Sequence, residues 1–152
     1  MLRRANLLLV LILSIFFVSM IDVYAVPEII VDKSMQRLAY WDNETFKVYL
    51  FCPVSTGIDP SDTPEGIFKT SDYYPEWHEL FYNQWAYGAI RINGSILLHS
   101  TPYASPNISS LDELELAKLG TPASHGCIRM STENILYLVQ NVPKGTRVIV
   151  MP

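Results

Sequence analysis

The sequence predicts a mainly β, sandwich-like domain with one clear helix. Three observations carry that expectation: short runs rich in β-branched and aromatic residues recur between turn-forming clusters, an Asn-Gly pair joins two of those runs, and a single late stretch holds apolar residues at helical spacing. Ile29, Ile30 and Val31 make the first run and residues 36–41 (QRLAYW) the second, with Asp32-Lys33-Ser34 as the turn between them. Asp42-Asn43-Glu44 leads into residues 45–51 (TFKVYLF), completing a β-meander. Residues 57–66 (GIDPSDTPEG), with two prolines and two glycines, must be loop. A third apolar group, residues 85–92 (WAYGAIRI), meets residues 95–99 (SILLH) across Asn93-Gly94, the strongest short hairpin signal, so His99 falls at a strand end. Residues 100–123 are rich in Pro, Ser and Thr and hold one short helical stretch at 111–119 (LDELELAKL). A connection this long in a small domain reads as a lid or binding loop. Ser131 is placed to cap a helix in which Ile135, Leu136, Leu138, Val139 and Val142 recur, with Glu133 in the favourable first turn and Pro143 and Gly145 ending it. Residues 147–151 (RVIVM) supply a last strand, and two packed sheets would bury the whole set.

Arg3 and Arg4 precede the apolar residues 7–18 (LLLVLILSIFFV), and Val23 and Ala25 are small. That order predicts a secretory signal peptide cleaved after Ala25, since the apolar run falls short of the roughly 20 residues of a bilayer span. Residues 1–25 are therefore read as leader and residues 26–152 as one exported domain without a membrane span after cleavage. The leader holds Arg3, Arg4 and Asp22, so its loss moves the formal charge from −4 to −5. No basic stripe remains for nucleic acid or an anionic membrane.

The chemistry concentrates in residues 124–131 (SHGCIRMS). If residues 125–129 are extended, His125, Cys127 and Arg129 share one face while Gly126 and Ile128 take the other. A thiol beside positive charge or an imidazole is expected to have a lowered pKa and to act as a nucleophile. Gly126 leaves the backbone bare, so the N–H groups of Gly126 and Cys127 are candidates for an oxyanion hole. The base is His99 or His125. Spacing leaves that choice open, but a histidine from a different strand approaches Sγ more freely, which favours His99, with Ser100 placed to hold the ring. His78, in a polar and aromatic segment, reads as a surface or structural histidine, and the cluster Tyr73, Tyr74, Trp77, Phe81, Tyr82 and Trp85 lines a groove or fills the core. Two bland readings compete. Cys52 and Cys127 would pair as a disulfide in an exported protein. His99, His125 and Cys127 also have the donor types for zinc or copper, but no fourth ligand is marked and Arg129 shares their face, so no cofactor is expected.

The chain resembles the catalytic domain of the L,D-transpeptidase family, on His99-Ser100-Thr101-Pro102 followed by Ser124-His125-Gly126-Cys127, with support from Pro53-Val54-Ser55-Thr56-Gly57 and Thr63-Pro64-Glu65-Gly66. The resemblance implies an exported bacterial enzyme, of periplasm or cell wall, whose partners are peptidoglycan stem peptides. It implies that Cys127 accepts an acyl group, that His99 is its base oriented by the Ser100 carbonyl, and that His125, Gly126 and Cys127 supply oxyanion N–H groups. Arg129 stands where many members carry Asn and others Arg, and with Ser124 would meet the substrate, Arg129 at a peptide carboxylate. The implied reaction attacks the carbonyl of the third stem residue, releases terminal D-alanine and passes the acyl group to an amine. The alternatives are a hydrolase using the same thioester and a non-catalytic wall-binding domain with bridged cysteines. The stretch between His99 and Ser124 is longer than is usual in the family, which implies a different lid.

Overall fold

The computed structural model describes residues 26–152; the leader read over residues 1–25 lies outside the described residues. The meander forms as expected: β1 (Pro27–Asp32) pairs antiparallel with β2 (Arg37–Asp42), and β2 with β3 (Val48–Pro53). β3 begins later than the alternating pattern from Thr45 suggests. The Asp42 carboxylate accepts the N–H groups of Glu44 and Thr45 at 2.9 and 3.1 Å, and the Asp42 N–H donates to the Lys47 carbonyl, so the turn runs on through a left-handed Phe46. β4 (Gly66–Lys69) emerges from the end of the expected loop as an edge strand too short to show a pattern. β5 (Trp77–Glu79) pairs with β6 (Trp85–Tyr87), and the apolar group at residues 85–92 breaks at Gly88 into β6 and β7 (Ala89–Asn93). β7 and β8 (Ile96–Ser100) form the hairpin signalled by Asn93-Gly94, and β9 (Ile128–Met130) lies parallel to β8. β10 (Arg147–Met151) closes the chain between β1 and β4.

Two sheets result, of order β3-β2-β1-β10-β4 and β7-β8-β9, together with the small β5-β6 ribbon. The short helix α1 (Glu113–Leu116) is capped by Asp112, and α2 (Thr132–Asn141) by Ser131, whose hydroxyl accepts the Asn134 N–H. One apolar core joins the layers. Ile29, Val31, Leu38 and Val148 from the large sheet meet Ile90, Leu98, Ile128 and Met130 from the small one, with Ile135 and Leu138 of α2. Each such burial contributes roughly 1.5–3 kcal/mol. Because strand residues alternate, sending Leu98, Ile128 and Met130 inward turns Leu97, His99 and Arg129 to the opposite face of the small sheet. The chemistry lies on that face.

Candidate active site

The turn at residues 124–127 is locked from within and from outside. The buried Ser124 hydroxyl donates to the Cys127 carbonyl at 2.5 Å and accepts the Gly126 N–H at 3.1 Å. Gly126 is at φ +110°, a conformation open mainly to glycine, and a Cβ there would meet Ile96 Cδ1 at 3.2 Å. The strand therefore starts at Ile128 rather than at residue 125. His125 swings out to an exposed position, and shared-face parity holds for Cys127 and Arg129 against Ile128 and Met130. Outside the turn, Thr63 Oγ1 donates to the Gly126 carbonyl at 2.9 Å and accepts the Gly57 N–H at 2.8 Å. A Cβ on Gly57 would sit 2.1 Å from the Ser61 carbonyl oxygen and 2.9 Å from the Gly126 nitrogen, so glycine is required by close approach. Ser55 bridges Arg129, Gly57 bridges Ser124, and the Gln36 side chain fixes Thr56 through bonds of 2.7 and 2.9 Å. The loops that carry the flanking motifs are thus the clamp on the turn.

His99 on β8 is 1% exposed, and its Nδ1–H donates to the Ser100 carbonyl at 2.6 Å. That bond assigns the tautomer and leaves Nε2 as an acceptor. Burial first, and the Arg129 charge second, push its pKa down to about 3, so the ring is neutral at physiological pH. The Ser100 hydroxyl is engaged elsewhere: it accepts the Tyr87 N–H and donates to the Thr101 carbonyl, so only the carbonyl orients His99. Cys127 lines the same cavity of about 360 Å³ as His99, His125 and Arg129. Its thiol faces the Ser95 carbonyl at 3.6 Å. Burial pushes the thiol pKa up, and a backbone hydrogen bond at Leu97 with the charges of Arg129 and Arg91 offsets this in part. The lowered pKa expected from neighbouring cations is therefore corrected: desolvation outweighs them. The thiol and the imidazole thus share the cavity as two uncharged groups.

The remaining expectations divide. The Gly126 N–H is committed to Ser124, whereas the N–H groups of His125 and Cys127 have no acceptor among the described residues and are free to donate. Ser124 shapes the turn with its hydroxyl rather than offering it to a substrate. Arg129, 7% exposed, donates through one terminal nitrogen to Glu115 at 2.6 Å and to the Ala123 carbonyl at 3.0 Å, while its Nε has no partner. The expected carboxylate ligand of Arg129 is thus met from within by a residue of the long 100–123 segment. Cys52 is buried in the core opposite Leu38 and burial raises its pKa to about 11. Both thiols are free, which removes the bridged-cysteine reading.

Sequence reasoning left one wall undecided between groove and core. Residues 78–82 and Gln84 line the cavity, with Phe81 and Tyr82 each 77% exposed and Tyr82 against the His125 ring at 5.6 Å between centroids. His78 belongs to this wall and bonds the Tyr73 hydroxyl through Nδ1 at 2.8 Å. The aromatic cluster was the available signal; its burial was not readable. Arg91, a lone cation between two isoleucines of a strand, also lines the cavity.

The family model described as L,D-transpeptidase catalytic domain (YkuD) matches residues 27–150. YciB of Bacillus subtilis (strain 168), whose name assigns it to the L,D-transpeptidases, is 31% identical over 105 residues, covering 64% of this chain and 52% of that protein. The chain thus spans about half the length of that curated relative. Among solved structures, an L,D-transpeptidase from Mycobacterium smegmatis superposes with a TM-score of 0.68 at 18% identity, over 84% of this chain and 59% of that one. The L,D-transpeptidase LdtMt1 in complex with imipenem gives 0.67 at 20% identity over 84% and 59%. One from Stackebrandtia nassauensis gives 0.64 at 20% identity over 86% and 58%. Likeness at these identities speaks for the fold.

Proposed function

The chain belongs to the L,D-transpeptidase catalytic domain family, and on that premise we propose that it is a cysteine acyltransferase acting on peptidoglycan stem peptides outside the cytoplasmic membrane. The observation that carries the reading is a cavity shared by the Cys127 thiol and a neutral His99 whose Nδ1–H is tied to the Ser100 carbonyl. A tetrapeptide donor would enter with the carbonyl of its third residue at Sγ. As the S–C bond forms, His99 Nε2 takes the thiol proton, and the oxyanion develops toward the His125 and Cys127 N–H groups. The imidazolium then gives its proton to the departing amine of terminal D-alanine, the C–N bond breaks and a thioester remains. An acceptor amine repeats the sequence in reverse: it attacks the thioester, His99 relays its proton to sulfur, and the thiol is restored. Ser124, Gly126, Thr63 and Gly57 position the turn. Arg129, neutralised by Glu115, fixes residues 100–123 against β9.

The test is to incubate residues 26–152 with a defined tetrapeptide muropeptide and identify products by mass spectrometry, beside Cys127→Ala. Cross-linked dimer with loss of D-alanine, dependent on Cys127, is the expected outcome. Tripeptide without dimer, even with a diamino acceptor in excess, would make water the acceptor; products from Cys127→Ala would sink the thioester route. Imipenem offers a second check, since its β-lactam carbonyl is an activated acyl donor. One imipenem mass should add to the protein and none to Cys127→Ala.

A further inference from the structure

Arg129 and Arg91 both reach the cavity, but their charges are handled differently. Arg129 is paired with Glu115. Arg91 has no carboxylate within ion-pair distance among the described residues. It is nonetheless held in place: one terminal nitrogen donates to the Gly94 carbonyl, and the guanidinium carbon stands 4.7 Å from the centroid of the Tyr73 ring. Tyr73 is in turn fixed through its hydroxyl by His78. Arg91 pairs with Leu97 across the hairpin, and Leu98 pairs with Ile128, so Arg91 and Cys127 stand one strand to either side of Leu97. The Arg91 charge is felt at the Cys127 thiol. A fixed guanidinium with its charge uncompensated, beside a nucleophile and open to a cavity, is built for a carboxylate.

We propose that Arg91 is the specificity residue that binds a carboxylate of the acyl donor beside Cys127. This rests on the acyl-donor reading of the site and moves the carboxylate contact from Arg129, whose charge is already paired with Glu115 through one terminal nitrogen, to Arg91. Two carboxylates of a stem peptide have the right chemistry: the one at the chain terminus, and one on the side chain of a dicarboxylic third residue.

The test has two parts. Alkylation of Cys127 by iodoacetate and by neutral iodoacetamide forms the same S–C bond with loss of iodide, so their rate ratio reads anion preference at the thiol without any donor peptide. Wild type should exceed Arg91→Gln in this ratio about tenfold, with Arg91→Lys recovering part of it, each variant first shown to melt cooperatively. Tetrapeptide donors then locate the carboxylate: one has its terminus amidated, and one carries lysine as third residue. Wild type should lose about 10–100-fold in kcat/KM, mostly in KM, on the donor lacking the partner carboxylate, and Arg91→Gln should be indifferent to that change. An equal alkylation ratio in wild type and Arg91→Gln, or equal losses by both on each donor, overturns the proposal. Turnover of tetrapeptide with an unchanged ratio overturns it alone. An Arg91-dependent ratio without turnover overturns the donor reading and leaves Arg91 as an anion site only.

Discussion

Two groups with opposite pKa shifts line the cavity. Burial and Arg129 hold His99 near 3, while burial raises Cys127 above its ordinary value. Both are uncharged at neutral pH, so on the proposed thioester route the proton would move as sulfur attacks, and His99 would contribute the full general-base factor. His99→Ala should lower acylation about 10²–10⁴-fold with the fold intact by circular dichroism; an unaffected rate would return the role to His125. The same shift governs stability. The folded pKa of about 3 lies below the ordinary 6.5, so between those values the unfolded chain binds the proton that the native state refuses. Stability is complete above about pH 6.5 and falls as pH drops toward 3, by at most ~1.4 kcal/mol per pH unit. Urea titrations between pH 7 and pH 4 should therefore give a flatter pH slope for His99→Gln than for wild type, and parallel slopes would mean that His99 is charged in the native state. That Cys127 and His99 share one cavity was legible because the residue types sit at the ends of recognisable strands. The direction of the thiol shift was not, because sequence shows neighbouring charges and hides desolvation.

At the level of elements, strands and helix were readable wherever a period could run its course. The β7–β8 hairpin and α2 follow from Asn93-Gly94 and from the spacing of Ile135, Leu138 and Val142. β4 and β5 were not, being three or four residues long and paired at an edge or in a ribbon. The turn at residues 124–127 defied the simple extended reading because Gly126 leaves the β region, a change the loop at residues 57–63 enforces. That clamp predicts effects at a distance from the chemistry. Thr63→Val keeps the shape but strands the Gly57 N–H and the Gly126 carbonyl in a buried site, which should cost roughly 1–3 kcal/mol of stability in urea melts. It should also slow iodoacetamide labelling of Cys127; a variant with wild-type stability and labelling would show that the turn holds itself.

Across the whole molecule, the apolar core and the cavity lie on two sides of one three-stranded sheet: the large sheet and α2 pack against the first, while Arg91, Leu97, His99 and Arg129 with residues 78–82 line the second. The 100–123 segment illustrates how the parts are joined. Read as a lid or binding loop, it adds no residue to the cavity lining; its α1 carries Glu115 to Arg129 on β9, while residues 78–82 and Gln84 line the cavity. No local pattern could reveal a pairing between residues fourteen positions apart on a helix and a strand. The ion pair is largely shielded, with side-chain exposures of 9% and 18%, so removing one partner leaves the other charge poorly solvated. Glu115→Gln should accordingly lower stability by roughly 1–3 kcal/mol. The released guanidinium would regain an open charge beside His99 and Cys127, which should raise the iodoacetate preference of the thiol above wild type. A stability loss without that change in preference would mean that Arg129 turns away from the cavity when freed, and that Glu115 serves only to anchor the segment.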